Sequence, residues 1–482
     1  LDIETNLAHD KIHLVVTKDI DTGEVRTWKA ASNLPEFLKD ASLIVMHNGI
    51  SFDAPVLNRL WKTKIRSSQV YDTLIVSRLL DPSRENGHSL EAWGQTLGFH
   101  KIDYAAVWQW MMDRKEAYAG ECFDSPIDSL LEHYCIRDVE VTAKLFVRLS
   151  SDVVEKQFSQ ESVELEHRVA QIISEQERNG FKLDQIYATC LLTDIKSKVA
   201  GIYEQMQQRW PPVITPKFHK THGRPIKDSI VTFNPGSRQQ IGEKLKELGW
   251  KPKEFTETGQ PKVDETILAN IKIPEAQVIA EYLMLQKRIS QIESWMEAVG
   301  KDGRVHGKVI TNGAVTGRMT HSSPNMAQIP NAGSIYGPEC RECWTVEDGN
   351  VLVGCDASGL ELRMLAHYMK DEGYVRTVCE GSSKDGTDVH TVNQRAAGLA
   401  SRDNAKTFIY AFLYGAGDAK IGSIVGGSAK DGEKLKAKFL AKTPALAKLL
   451  GRIKKSAARG FCKGLDGRCI WIRSEHAALN SL

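Results

Sequence analysis

The sequence predicts a multidomain chain, an α/β region followed by a larger α+β region. Three observations lead there. At 482 residues the chain is too long for one hydrophobic core. Up to about residue 150, short apolar runs alternate with helical periodicity, the pattern of strands interleaved with helices. Beyond that point amphipathic helical patterns prevail, broken by strand-type runs such as Val351 to Cys355. The composition, 41% hydrophobic and 26% charged, is that of an ordinary globular protein, and a formal charge of +2 excludes no class of partner. No apolar run is long enough to cross a membrane and no signal peptide opens the chain, so a cytoplasmic protein is expected. Nine cysteines are scattered singly except for Cys340 and Cys343. Without a second pair or a histidine at ligand spacing, these point neither to a disulfide framework nor to zinc. Residue 1 is Leu and the closing HAALNSL reads as a helix in mid-course, so a piece of a longer protein is expected.

LDIETN reads as a strand with Asp2 and Glu4 on one side, because successive side chains alternate. Ala41 to Asn48 is a short apolar strand, continued by Gly49, Phe52, Asp53 and Pro55 through a turn into a helix. Within His88 to Gly98, Leu90, Trp93 and Leu97 have core spacing. Leu131 to Leu149 is helical and puts Tyr134 and Asp138 on one face, at i and i+4. The carboxylates of Asp2, Glu4, Asp53 and Asp138, delivered by separate elements, would repel strongly unless cations held them. Two Mg²⁺ ions roughly 3.5–4 Å apart would do so, activating a water that Tyr134 orients and stabilising a leaving oxygen.

Val153 to Asn179 predicts a long polar helix stopped at Asn179-Gly180. Trp210 to Lys227, with Pro211, Pro212, Pro216 and Pro225 among basic residues, predicts an extended loop. In Phe233 to Trp250, Ser237 is the N-cap of a helix and Gly249 its C-cap. Ala276 to Gly300 is a second amphipathic helix whose basic end includes Lys287 and Arg288. Two helices with exposed cations suit a clamp on a duplex backbone. Val351 to Cys355 reads as a buried strand ending in Asp356, a carboxylate costly to bury unless a metal compensates it. A turn through Ser358-Gly359 leads from it into a helix holding Glu361 and Arg363. Arg402 to Gly417, read as a helix, places Arg402, Lys406, Tyr410 and Tyr414 in one slowly drifting stripe. The cations suit a triphosphate and the rings a sugar and a base, while Gly415 and Gly417 stop the helix. Lys430 to Lys463 is Lys-rich and helical, a basic surface for template.

DIET, HNGISFDAP and YCIRD resemble the three motifs of the DEDD-type 3′–5′ exonucleases, in the subclass with a tyrosine four residues before the last Asp. The resemblance implies an RNase H-like fold over residues 1–152, with Asp2, Glu4, Asp53 and Asp138 as metal ligands and Tyr134 positioning the water. VHGKVITNGAVTGRMTHSSPNMAQIPN, DASGLELR, DVHT, RDNAKTFIYAFLYGAG, KGLDGR and HAALN resemble family A DNA polymerases. IYAFLYGAG, with Tyr410 where the bacterial enzymes carry Phe, is similar to the replicative polymerases of T-seven-type bacteriophages. A right-hand polymerase domain over residues 153–482 is implied: 153–300 mainly thumb, 301–370 palm and 371–482 fingers, with the C-terminal palm missing. By the same resemblance Asp356 and the Ala357 carbonyl hold Mg²⁺, two ions per active site with Mn²⁺ as a substitute, and Glu361 excludes a ribose 2′-OH. His390, Arg402 and Lys406 hold the phosphates, Tyr410 meets the sugar and Tyr414 supports the templating pair. Arg318, beside a glycine, can approach a phosphate, and Asn312, Asn325 and Gln328 offer donors to minor-groove acceptors. Arg468, His476 and Asn480 are candidate primer–template contacts, and Glu475 stands where the family usually has Pro.

The implied activity is template-directed dNTP addition to a primer 3′-OH by two-metal phosphoryl transfer, with 3′–5′ proofreading, in phage DNA replication. Implied partners are primer–template DNA, dNTPs, a phage helicase-primase and a single-strand binding protein. An alternative is a 3′–5′ exonuclease whose polymerase-like half only binds primer–template. A host-type repair polymerase is disfavoured by the complete acid set. The chain departs from the phage pattern twice. It ends before the apolar strand bearing His-Asp-Glu, so these 482 residues are expected not to extend a primer while a longer parent would. Only Pro211 to Lys227 stands where thioredoxin-recruiting phage enzymes carry a long thumb insertion, so thioredoxin is not an expected partner.

Overall fold

The computed structural model describes every residue except 114–122, 124–127, 220–221, 473–478 and 480–482. The chain divides into two compact units: one is Leu1–Glu175, Val309–Thr320 and Gly354–Leu482, the other Gln176–Lys308 and His321–Val353.

In the first unit, strand Asp2–Thr5 pairs antiparallel with Ile12–Lys18, which pairs with Val25–Trp28. Ile44–Met46 and Val70–Asp72 pair in parallel, and such a pair needs a crossover, here carrying the helix Asp53–Leu60. The Leu1 amine donates to the Val45 carbonyl at 2.8 Å, which sets the first strand beside this pair. Helix Asp128–Glu155 covers the sheet, Leu131, Cys135 and Val139 packing with Leu14 and Val16. Helix Leu90–Thr96 forms as its spacing predicts, with Leu90 and Trp93 buried. The helix expected from Val153 is instead the end of Asp128–Glu155 and, after a break, Gln160–Asn179. Gln157 takes a left-handed φ of 52° in that break, and Phe158 drops into the core.

The C-terminal part of this unit is helical: Leu360–Met369, Glu372–Glu380, Val389–Ala397, Arg402–Leu413, Asp418–Ile424, Ala429–Lys442 and Pro444–Ala457 surround Phe408, Ile409, Phe439 and Leu446. A hairpin of Phe461–Lys463 and Cys469–Trp471 follows and packs on the N-terminal part. Cys469 shares an apolar cluster with Leu79, Leu80, Trp93 and Leu145, and the Trp471 indole donates to the Leu80 carbonyl at 2.9 Å.

In the second unit, helices Gln185–Arg209 and Pro274–Glu297 pack together around Leu191, Ile195, Leu285, Ile292 and Trp295. Strand Phe181–Leu183 lies between Arg304–Val305 and Trp344–Thr345. Ser237 caps Arg238–Glu247 by accepting from the Gln240 amide, and Gly249 follows at φ 91°. Cys340 and Cys343 lie in this unit's apolar core, where burial pushes their thiols up to about 11 and about 12.

Structure and expectation part at several places. The loop expected over Trp210 to Lys227 is a β-hairpin of Val213–Phe218 and Pro225–Val231. Both strands of a two-stranded ribbon are edges, where proline is tolerated, and Pro216 falls at the irregularity between Thr215 and Lys217. Arg288 is buried rather than exposed, donating to the Ile335 carbonyl at 3.1 Å and to Gln291 at 2.8 Å. Val351 to Cys355 is not a buried strand: the run is irregular and Val353 is 87% exposed. A strand covered on both faces needs flanking strands, and none among the described residues pairs with this run.

Candidate functional site

The first candidate site gathers acids from three elements. Asp2 and Glu4 project from the first strand, Asp53 begins the helix Asp53–Leu60, and Asp138 lies one turn beyond Tyr134 on Asp128–Glu155. The turn ahead of Asp53 is built locally. The Asp72 carboxylate accepts from the Asn48 and Ile50 amides at 2.9 and 3.1 Å, and a Cβ on Gly49 would stand 2.3 Å from that of Met46. Ligand atoms of Asp2, Glu4 and Cys135 lie within 4.8 Å of one another. Burial raises all the carboxyls, and neighbouring acids add to it at Glu4 (to about 10), Asp138 (to about 7) and Asp53 (well up), while Asp2 is raised by burial against the pull of Lys101 and the Leu1 amine. Among the described residues, Asp138 Oδ1 is buried without a hydrogen-bond partner. A crowded, buried set of carboxyls with one oxygen left open fits a hard divalent cation. Cys135, its thiol raised well up by burial, is not a donor Mg²⁺ favours.

Lys101 gave no signal in the sequence. Its Nζ stands 2.5 Å from Asp138 Oδ2 and 3.1 Å from the Tyr134 hydroxyl.

The second candidate site is on the helix Arg402–Leu413. Ser401 caps it, accepting from the Asn404 amide, and Ala405, Phe408, Ile409, Phe412 and Leu413 face the core. Arg402, Lys406, Tyr410 and Tyr414 are left on the accessible side, as the spacing predicts. Tyr414 is the cap residue itself, and Gly415 (φ 71°) ends the helix. Gly417 instead stands ahead of Asp418–Ile424. Arg402 forms a two-nitrogen bond to Asp388 Oδ1 at 2.9 and 3.1 Å. Burial would raise Asp388, but Arg402 and Thr391 hold its carboxyl down to about 2. Sequence reasoning passed over Asp388, although an acid just ahead of an apolar helix is an N-cap signal, and it caps Val389–Ala397. On that helix His390 lies 6.2 Å from the Tyr410 ring, centroid to centroid. Burial, then Arg402, pushes the imidazole down, and its Nδ1 is buried without a partner among the described residues. The Tyr414 hydroxyl donates to Glu361 Oε1 at 3.3 Å, and Arg318, Glu361 and Tyr414 line one cavity of about 320 Å³.

Asp356 and Ala357 lie in the exposed irregular segment, which no strand among the described residues holds toward the helix. Asn312 is buried and donates to the Ile75 carbonyl at 3.3 Å. Asn325 accepts from the Ala327 amide, and Gln328 is exposed. The Arg468 guanidinium is engaged by Glu166 at 2.6 Å and Asp466 at 2.7 Å rather than turned to solvent. His476 and Asn480 lie outside the described residues.

The sequence profile of DNA polymerase family A matches residues 215–480. The DNA-directed DNA polymerases of Enterobacteria phage T3 and Escherichia phage T7 are each 34% identical to the chain over 615 residues, covering 100% of it and 86% of the phage protein. DNA polymerase I of Pseudomonas aeruginosa is 23% identical over 462 residues, covering 92% of the chain and 47% of that protein. The solved POL domain of Pol1 from M. smegmatis, in complex with DNA primer-template and dNTP, shares the fold: TM-score 0.72 at 17% identity, over 97% of this chain and 81% of that one. No helix among the described residues is long and apolar enough to cross a membrane. On the profile match and the phage relatives together, the chain belongs to DNA polymerase family A.

Proposed function

We propose that this DNA-directed DNA polymerase serves phage DNA replication and carries a 3′–5′ proofreading exonuclease over residues 1–152. Thumb (153–300), palm (301–370) and fingers (371–482) follow. The observation that carries the exonuclease is the convergence of Asp2, Glu4, Asp53 and Asp138 with Tyr134 on the helix of Asp138. An antiparallel trio of strands continued by a parallel pair supports an RNase H-like fold. These acids would hold divalent ions, whose chemistry there would be to activate a water and to offset charge on the leaving oxygen. Burial keeps the Tyr134 phenol protonated, so it offers that water a hydrogen bond and orients it.

In the polymerase half, Arg402, Lys406 and His390 receive the triphosphate and offset charge developing on pyrophosphate. Asp388 braces Arg402 so that its guanidinium stays aimed. Tyr410 meets the sugar and Tyr414 the templating pair. The bond from Tyr414 holds Glu361 where a ribose 2′-OH would sit. Asp356 and the Ala357 carbonyl are the Mg²⁺ ligands, while Arg318, Asn325 and Gln328 meet primer–template. The working partners are a phage helicase-primase and a single-strand binding protein, in the host cytoplasm. A chain that merely clamps DNA has no need of the braced Arg402, which disfavours the purely exonucleolytic alternative.

Reciprocal variants of the natural gene product test the assignment. Asp53→Ala is expected to lower 3′ excision by about 10²–10³-fold or more and spare primer extension. Asp356→Ala is expected to do the reverse. If both activities survive either change, or fall together, the assignment is wrong.

A further inference from the structure

Lys101 is placed in the acid cluster by packing that no single residue reveals. The segment after Leu90–Thr96 folds back onto that helix at Gly94, where an added Cβ would stand 2.9 Å from the Phe99 carbonyl oxygen and 3.5 Å from the Lys101 amide. The Phe99 amide donates to the Gly94 carbonyl at 2.9 Å. The Phe99 ring lies under Arg137 and Lys144, whose charged groups stand 4.2 and 4.8 Å from its centroid. Both cations belong to the helix that carries Tyr134 and Asp138. The loop is thus fixed to two helices at once, and the Lys101 side chain is only 16% exposed. There its Nζ meets Asp138 Oδ2 at 2.5 Å and the Tyr134 hydroxyl at 3.1 Å.

We propose that Lys101 is a built-in counter-ion of the exonuclease cluster that competes with the divalent cation and sets the metal affinity of the site. This rests on reading the cluster as a metal site. Asp138 is divided between two duties: Oδ2 takes the ammonium, and Oδ1, without a partner among the described residues, is left for a cation. An ion entering at Oδ1 meets a positive charge already on the same carboxylate and binds more weakly than the acids alone would allow. Without metal, the ammonium offsets part of the repulsion among Asp2, Glu4, Asp53 and Asp138. It also donates to the Tyr134 oxygen, which fixes the phenol beside Asp138. Lys101 is therefore a positioning residue, and through it excision becomes more sensitive to divalent-ion concentration.

The test is Mn²⁺ binding to the whole chain, read from the EPR signal of free Mn²⁺, with Asp2→Ala defining which sites belong to the cluster. Lys101→Met is expected to tighten the Asp2-dependent site about tenfold or more. It is also expected to lower the thermal midpoint of the metal-free protein, a deficit that closes at saturating Mn²⁺. Unchanged or weaker binding in Lys101→Met overturns the proposal. Lys101→Arg keeps the charge and carries the test if Lys101→Met does not fold. It is expected to stay within about threefold of wild type, and tightening beyond that overturns the proposal equally. A wild-type chain with no Asp2-dependent Mn²⁺ site would instead overturn the reading of the cluster as a metal site, a separate and visible failure.

Discussion

Asp138 and Asp356, the carboxylates proposed to hold Mg²⁺ in the two halves of the chain, sit in opposite surroundings. Asp138 is buried on a long helix, beside an ammonium and within the field of other acids, and its carboxyl is raised to about 7. Asp356 is exposed in an irregular segment. The first site is pre-formed, at the expense of electrostatic strain stored among its carboxylates. The second is half delivered, because helix packing fixes Arg402, Tyr410 and Tyr414 while no strand among the described residues fixes Asp356. A site made by helix faces can form from local periodicity and one apolar core. A carboxylate at the end of a buried strand depends on neighbouring strands from elsewhere in the chain.

The contrast is sharpest in the response to pH and metal. The folded-state values of Asp138 (about 7) and Glu4 (about 10) lie above ordinary unfolded values. Their contribution to stability is full below about pH 4 and is lost as pH rises through the folded values. For Asp138 alone the loss is of the order of 4 kcal/mol. Calorimetry of the metal-free chain between pH 5 and pH 8 (about these limits) should therefore show a falling midpoint that Mg²⁺ restores. Asp138→Asn should flatten the curve, whereas Asp356→Asn should leave it unchanged. An effect of Asp356→Asn as large as that of Asp138→Asn would erase the comparison.

Within the polymerase half the expected effects are smaller. Arg402→Ala in the natural gene product should raise KM for dNTP by about 10–100-fold, as loss of a charge-assisted contact does, with excision untouched. Steady-state extension assays decide it. Tyr410→Phe should increase discrimination against dideoxynucleotides by about tenfold, roughly the worth of one hydrogen bond, measured as the ratio of kcat/KM values. Ser401→Ala should weaken the helix Arg402–Leu413 by about 1 kcal/mol through its lost cap, seen as faster amide exchange over residues 402–413 and no change at the acid cluster.

How much of this was legible in the sequence depended on whether a feature is local. Asp2 and Glu4 were readable from strand alternation, Tyr134 and Asp138 from helical spacing, and the Arg402 stripe from its period. The hairpin at Val213–Phe218 is hidden because proline ordinarily breaks a strand, whereas Pro216 sits at an irregularity on an edge strand. Arg288 and Arg468 read as DNA-facing cations, since sequence cannot tell that Ile335, Gln291, Glu166 and Asp466 come to meet them. Lys101 was invisible for the same reason: its position is decided by the missing Cβ of Gly94 and by a ring held between two cations of a later helix.

The hairpin that ends in Trp471 has a consequence in time. Trp471 seats against Leu80 across 391 residues of sequence, and Cys469 completes an apolar cluster begun by Val76, Leu79 and Trp93. A ribosome adding about 5–20 residues per second takes roughly 20–80 s to cover that interval. Through it the nascent N-terminal part waits with that patch uncovered, though its sheet and its acids have long since left the exit tunnel. The last stage of this region's folding is therefore timed by synthesis of the far end of the chain rather than by its own search.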